Sequence, residues 1–231
     1  MIKAVIFDMY ETLITLYKSP LYFGTQIAID AGISEEEFQS LWKPREYERT
    51  VGKITLEEIL EFILKEKKCY SDELFNKIVE KRKISKKECF KYIHPEIIPM
   101  LNELKKKGVR IGLISNCFSE EVEAIKNSEL FPYFDATYLS FEQSLQKPEE
   151  EIFIRCMDKL SVSADECVYV GDGGSLELET VSQIGMKAVQ AVWYLKDGTI
   201  QPSRRKKDFI QAETPFEILQ YIKVRQIPVY D

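Results

Sequence analysis

Four short apolar runs punctuate the chain, at residues 4–7 (AVIF), 110–114 (RIGLI), 167–170 (CVYV) and 187–192 (KAVQAV). Each is bounded by polar residues or glycine. Short continuous apolar runs of this kind read as strands buried on both faces, the habit of parallel sheets. Between the later runs the period changes. Ile97, Ile98, Leu101 and Leu104 recur at helical spacing within residues 96–107, ahead of Gly108 as a C-terminal cap. Phe153, Met157 and Leu160 repeat likewise within residues 149–160. This alternation predicts an α/β fold: a doubly wound, Rossmann-like parallel sheet.

Residues 16–91 follow a different rule. The stretch is rich in Glu and Lys, and Leu56, Ile59, Leu60, Ile63, Leu64, Leu74 and Ile78 keep a helical period with no strand-like alternation. We therefore expect a helical insertion at 16–91, and a core built from residues 1–15 and 92–231. Thr55 with Glu58, and Ser34 with Glu37, have the spacing of capping boxes that open helices. The aromatic stretch LFPYFDATYLSF reads as packing for an edge strand, with Asp135 closing a loop.

Composition narrows the class. With 231 residues and 45% hydrophobic side chains the chain can build a full core. A net charge of −6 argues against a general nucleic-acid binder. The one basic cluster, Arg204 to Lys207, reads as a solvated loop. Five cysteines without a CxxC spacing suit a reducing compartment. No apolar run approaches the roughly 20 residues needed to span a bilayer, and the chain enters a strand at once, so we expect a cytoplasmic protein with no signal peptide and no membrane partner. A single histidine, His94, rules out a two-histidine metal site and reads as structural beside Pro95.

The ends of the predicted strands carry the chemistry. Ligands of open parallel sheets bind beyond the carboxyl ends of the strands. After the first run come Asp8, Tyr10 and Thr12; after the second, Ser115 and Asn116; after the third, Asp172, with Glu177 five residues on. Lys147 precedes Pro148 between the second and third. A carboxylate at the end of a buried strand must be paired, hydrogen-bonded or metal-bound. Singly these signals are ordinary. In this order, FDMYETL, ISN, KP and VGDGGSLE, the chain resembles the haloacid dehalogenase-like hydrolases, with the helical insertion where that family carries a mobile cap.

The resemblance implies a role for each residue. Asp8 would be the nucleophile, Lys147 would bridge it to a substrate oxygen, and Ser115 with the backbone N–H of Asn116 would bind the transferring group. Thr12 would orient the loop or the nucleophile. Asp8, the carbonyl of Tyr10, Asp172 and Glu177 would hold Mg²⁺, a cation that favours hard oxygen ligands. In this family an acid at position 172 marks phosphatases, whereas dehalogenases carry serine there. Tyr10 points the other way, because the phosphatases have a second aspartate at that position and the dehalogenases a tyrosine. Glu11 also replaces a usual glycine. The expectation is a Mg²⁺-dependent phosphatase of a small phosphorylated, or otherwise anionic, metabolite. Its leaving groups should need no protonation, since a tyrosine with a pKa near 10 donates poorly. Metal-independent haloacid dehalogenation through an aspartyl ester, and metabolite binding with weak catalysis, are the alternatives. Arg45 and Arg49 could read an anionic substrate or remain solvated. Trp42 and Tyr47 should fill the insertion's core or its interface, and Cys117 with His94 is a weaker nucleophile pair.

Overall fold

In the computed structural model, which describes residues 1–195 and 204–222, the apolar runs pair side by side. The first, β1 (Ala4–Phe7), is buried at every residue. It lies between β2 (Arg110–Ser115) and β4 (Cys167–Gly171), with Phe7 level with Leu113 and Val170. Outside β2 runs β3 (Ala136–Leu139), and outside β4 run β5 (Lys187–Ala191) and β6 (Ile210–Ala212). All neighbours are parallel, in the order β3-β2-β1-β4-β5-β6. The chain winds outward from β1 to β3 and then crosses back to β4. That reversal opens a crevice beyond the carboxyl ends of β1 and β4, the natural ligand site of a doubly wound sheet.

Five of the helices between β1 and β2 form a block: α1 (Gly24–Ala31), α2 (Glu35–Trp42), α3 (Glu46–Thr50), α4 (Leu56–Glu66) and α5 (Asp72–Glu88). They bury an apolar cluster of their own, with Phe38, Ile59, Leu60, Ile63 and Ile78 at its centre. Both expected capping boxes form. Ser34 and Thr55 accept from the N–H of Glu37 and Glu58, whose carboxylates reach back to the N–H of Ser34 and Thr55.

The sheet is covered on both faces. Val5, Phe7, Ile111, Leu113 and Val168 pack with Leu101 and Leu104 of α6 (Ile97–Lys106) and Ile125 of α7 (Ser119–Lys126). Short α8 (Ser140–Gln143) follows β3. On the opposite face Ala4, Ile6, Ile114 and Tyr169 meet Phe153 and Cys156 of α9 (Glu150–Leu160), and Leu178 and Val181 of α10 (Glu177–Gln183). Successive residues of β1 thus serve opposite layers. Gly112 is required by this closeness: a Cβ there would come within 3.0–3.1 Å of Cys156, Ile6 and Leu160 side-chain atoms.

Several expectations need correction. Tyr47 does not fill the insertion's core; it is half exposed on α3, where it lines a hollow facing the core. Arg49 is not solvated but 1% exposed. The basic cluster is only partly a solvated loop, since Lys206 pairs with Glu179 at 2.6 Å and donates its N–H to Gln190. Strand β6 had no apolar run to announce it, whereas β3 lies within the aromatic stretch expected at an edge strand and is indeed the sheet's edge, half buried at its middle. Asp135 does close a loop, accepting from the N–H of Ile111 at 2.7 Å and pairing with Lys105.

Candidate active site

Asp8 leaves β1 at its carboxyl end. Its Oδ1 accepts from Lys147 Nζ at 2.7 Å and from the N–H of Met9 at 2.8 Å. Lys147 is buried and is positioned through its backbone: its N–H donates to Asn116 Oδ1 at 2.8 Å, and its carbonyl accepts from Asn116 Nδ2 at 3.0 Å. The peptide to Pro148 is cis. The Asn116 side chain thus ties the turn after β2 to the lysine loop, a use distinct from the backbone role its position suggested. Ser115 is fully buried, with its hydroxyl 3.4 Å from the Asn116 carbonyl.

Across the crevice, the turn after β4 is folded around its own acids. Glu177 accepts from the N–H of Gly173 through Oε1 and from the N–H of Ser175 through Oε2, both at 2.7 Å, and Asp172 Oδ1 accepts from the N–H of Gly174 at 3.1 Å. Gly173 needs its freedom here, with φ at +90° and Lys206 and Leu178 pressing on the place of a Cβ. The carboxylates of Asp8, Asp172 and Glu177 offer ligand atoms within 4.8 Å of one another, all buried.

The electrostatics follow from this crowding. Burial pushes the Asp8 carboxyl up, Lys147 pulls it down, and Asp172 and Glu177 push it up again, to about 7. Burial alone would lower Lys147, but Asp8, then Glu177 and Asp172, outweigh it and hold the ammonium charged. Three buried acids against one lysine leave an excess of negative charge, which a hard divalent cation would neutralise. The donor set is all oxygen, so the residues fit Mg²⁺.

Tyr10 and Thr12 occupy the turn after β1. Thr12 is fully buried, and its hydroxyl has no hydrogen-bond partner among the described residues. The Tyr10 hydroxyl is likewise buried and unpartnered, and burial, then Glu121, raises its pKa well above the usual phenol value. Glu11 sits in the left-handed region with φ at 56°, and its carboxylate accepts from Thr15 Oγ1 and the Leu16 N–H, latching the turn. Asp8, Tyr10, Tyr17, Lys147 and Asp172 help to line a cavity of about 190 Å³. A larger hollow of about 620 Å³ shares Asn116, Lys147, Gly174 and Ser175 with it and extends to Glu46, Tyr47 and Thr50 of α3.

Where the insertion meets the core, a buried ionic seam forms that the sequence reading missed. Arg82 of α5 donates to Glu120 of α7 at 2.9 Å, and Lys86 pairs with Glu121 at 2.6 Å. Arg49 lies 3.9 Å from Glu120, with its guanidinium 3.5 Å from the Trp42 ring centre and 4.1 Å from that of Phe118. Burial lowers Arg49 to about 10. Arg45 instead stacks on Phe62 and donates to the Leu41 carbonyl. The Cys117 thiol is buried and pushed far up by that burial, while His94 accepts from the N–H of Glu96 and donates its own N–H to Tyr194, so the pair makes no nucleophile.

A family model of haloacid dehalogenase-like hydrolases matches residues 2–185. The chain belongs to that family, and its fold is that of a hydrolase. It is 24% identical over 245 residues to a glyceraldehyde 3-phosphate phosphatase of Methanopyrus kandleri, spanning 96% of this chain and 98% of that protein. Among solved structures it superposes on a HAD phosphatase from Thermococcus onnurineus with a TM-score of 0.65 at 21% identity, covering 96% and 99% of the two chains. The L-2-haloacid dehalogenase of Xanthobacter autotrophicus gives a TM-score of 0.61 at 17% identity, with 96% and 98% covered. At such identities the structural likeness is one of fold.

Proposed function

We propose that this hydrolase is a cytoplasmic, Mg²⁺-dependent phosphatase of a small phosphorylated metabolite, with Asp8 as nucleophile and residues 16–91 as its cap domain. The carrying observation is the three-acid cluster beside the Asp8–Lys147 pair. By the resemblance, an acid at position 172 goes with the phosphatases, which hold a cation beside the nucleophile, and Glu177 supplies a second carboxylate to it. Five free cysteines fit a reducing compartment. Among the described residues no helix is long and apolar enough to cross a membrane.

Asp8 attacks phosphorus, the bond from phosphorus to the leaving oxygen breaks, and that oxygen keeps the electron pair. Water then attacks the phosphorus of the aspartyl phosphate, releasing phosphate and restoring the carboxylate. Lys147 holds Asp8 and a substrate oxygen, and Ser115 with the Asn116 N–H supports the transferring group. Asp8, the Tyr10 carbonyl, Asp172 and Glu177 would hold Mg²⁺, which supplies charge neutralisation at the phosphoryl group. Thr12 orients the turn that carries Asp8.

Tyr10 cannot serve as a proton donor, because its hydroxyl is buried and its pKa is raised. Acyl and activated aryl phosphates should therefore outrun alkyl phosphates by about 10²–10⁴-fold, the usual worth of a placed acid. Phosphate release from acetyl phosphate and p-nitrophenyl phosphate, with and without EDTA, tests the reading. It should require the metal and fall by about 10⁴-fold or more in Asp8→Asn. EDTA-insensitive halide release from 2-chloropropionate would install dehalogenation instead, and tight metabolite binding without turnover would leave a binding protein.

A further inference from the structure

The larger hollow leads away from Asp8 between the two halves of the molecule. Its lining combines Glu46 and Tyr47 of α3 with Phe118, Pro148 and Leu176 of the core. Its charge inventory is one-sided. Lys147 is the one cation among the described lining residues, and it is buried and taken by Asp8 at 2.7 Å. Lys53 lies over the Tyr47 ring and does not line the hollow, and Arg49 is sealed behind Phe118. Glu46 is the one acid among the described lining residues, and it is exposed; Asp8 and Asp172 line the smaller cavity that shares Lys147 with this hollow.

Leu176 strengthens this pattern. It has a φ of 57° and is 59% exposed, so the chain holds a large apolar side chain in a strained conformation and in water. Such strain gathers at functional sites. Tyr47 is 51% exposed on the α3 side of the same hollow.

We propose that this hollow is the leaving-group subsite, that it takes an uncharged and partly apolar group, and that Leu176 and Tyr47 set that specificity while Glu46 repels anions. The inference rests on the phosphatase reading and narrows it: the phosphoryl group is the substrate's single anionic group. A second phosphate or a carboxylate on the leaving group would find no free cation among the described lining residues and would lie near Glu46.

The test uses the full chain with Mg²⁺ and aryl phosphates of matched leaving-group acidity, one neutral and one carrying a carboxylate. The neutral ester should have a kcat/KM about tenfold higher at low salt, a gap that shrinks as salt screens it. Glu46→Lys should close or reverse the gap, and Leu176→Ala should raise KM for the neutral ester severalfold with kcat nearly kept. Both side chains are exposed, so both variants should fold, which thermal melts check. Equal rates on the two esters, or a gap that Glu46→Lys leaves unchanged, overturn the subsite while phosphate release keeps the phosphatase reading standing. No phosphate from either ester overturns both.

Discussion

Asp8 shows how one residue's protonation can register on the stability of the whole chain. Without metal its native pKa is about 7, against 3.8 for an ordinary aspartate. Between those values the native state holds a proton that the unfolded chain has released, so stability falls as pH rises through that window. Asp8→Asn removes the loss. In EDTA its stability relative to the parent should improve between pH 4.5 and 7.5, by a margin on the order of 2–4 kcal/mol. Urea unfolding at the two pH values measures it, and an unchanging difference would mean that Asp8 is ionised throughout. At this scale the sequence was informative wherever chemistry forced the residue type. Asp8, Lys147, Asp172 and Glu177 stood out because buried charges need reasons, and the fold gathers all four in one crevice. Asn116 was legible as a site residue, but its side-chain clamp on Lys147 was not, because 31 residues separate them.

Element by element, periodicity announced the long helices and the central strands, since both are buried against something continuous. It failed where the partner was distant. Helix α5 contains EKRKISKKE, a charged run with no apolar stripe to mark a buried side, yet Arg82 and Lys86 are buried against Glu120 and Glu121 of α7. Edge strands β3 and β6 were weak signals for a related reason: an edge is half wet and needs less apolar sequence. The seam yields a measurable claim. Glu120 is buried and held below the usual carboxylate range because Arg82, then Arg49 and Lys86, outweigh the effect of burial. Glu120→Gln strands those cations and should cost about 3–5 kcal/mol in urea unfolding. Replacing the Arg82–Glu120 pair together with Leu and Met should recover much of that. A double replacement whose loss equals the sum of the two single losses would show that the contact carries no coupling.

For the whole molecule, strand order decides where chemistry can occur. Because β1 has β2 on one side and β4 on the other, the turns bearing Asp8, Asn116 and Asp172 share one edge of the sheet. The order of motifs along the chain made this readable in advance, whereas the packing of the helical block against the core was not. That packing has a practical consequence. Arg49 is gripped between Trp42, which belongs to the block, and Phe118, which belongs to the core. The second tryptophan, Trp193, donates to the Thr12 carbonyl at 2.8 Å within the core itself. One indole therefore stacks on the guanidinium that bridges the joint, and the other lies within the core. The protein carries its own optical gauge: adding phosphate or vanadate should shift Trp42 emission if the halves part or tighten, Trp42→Phe should silence the signal, and Trp193→Phe should spare it.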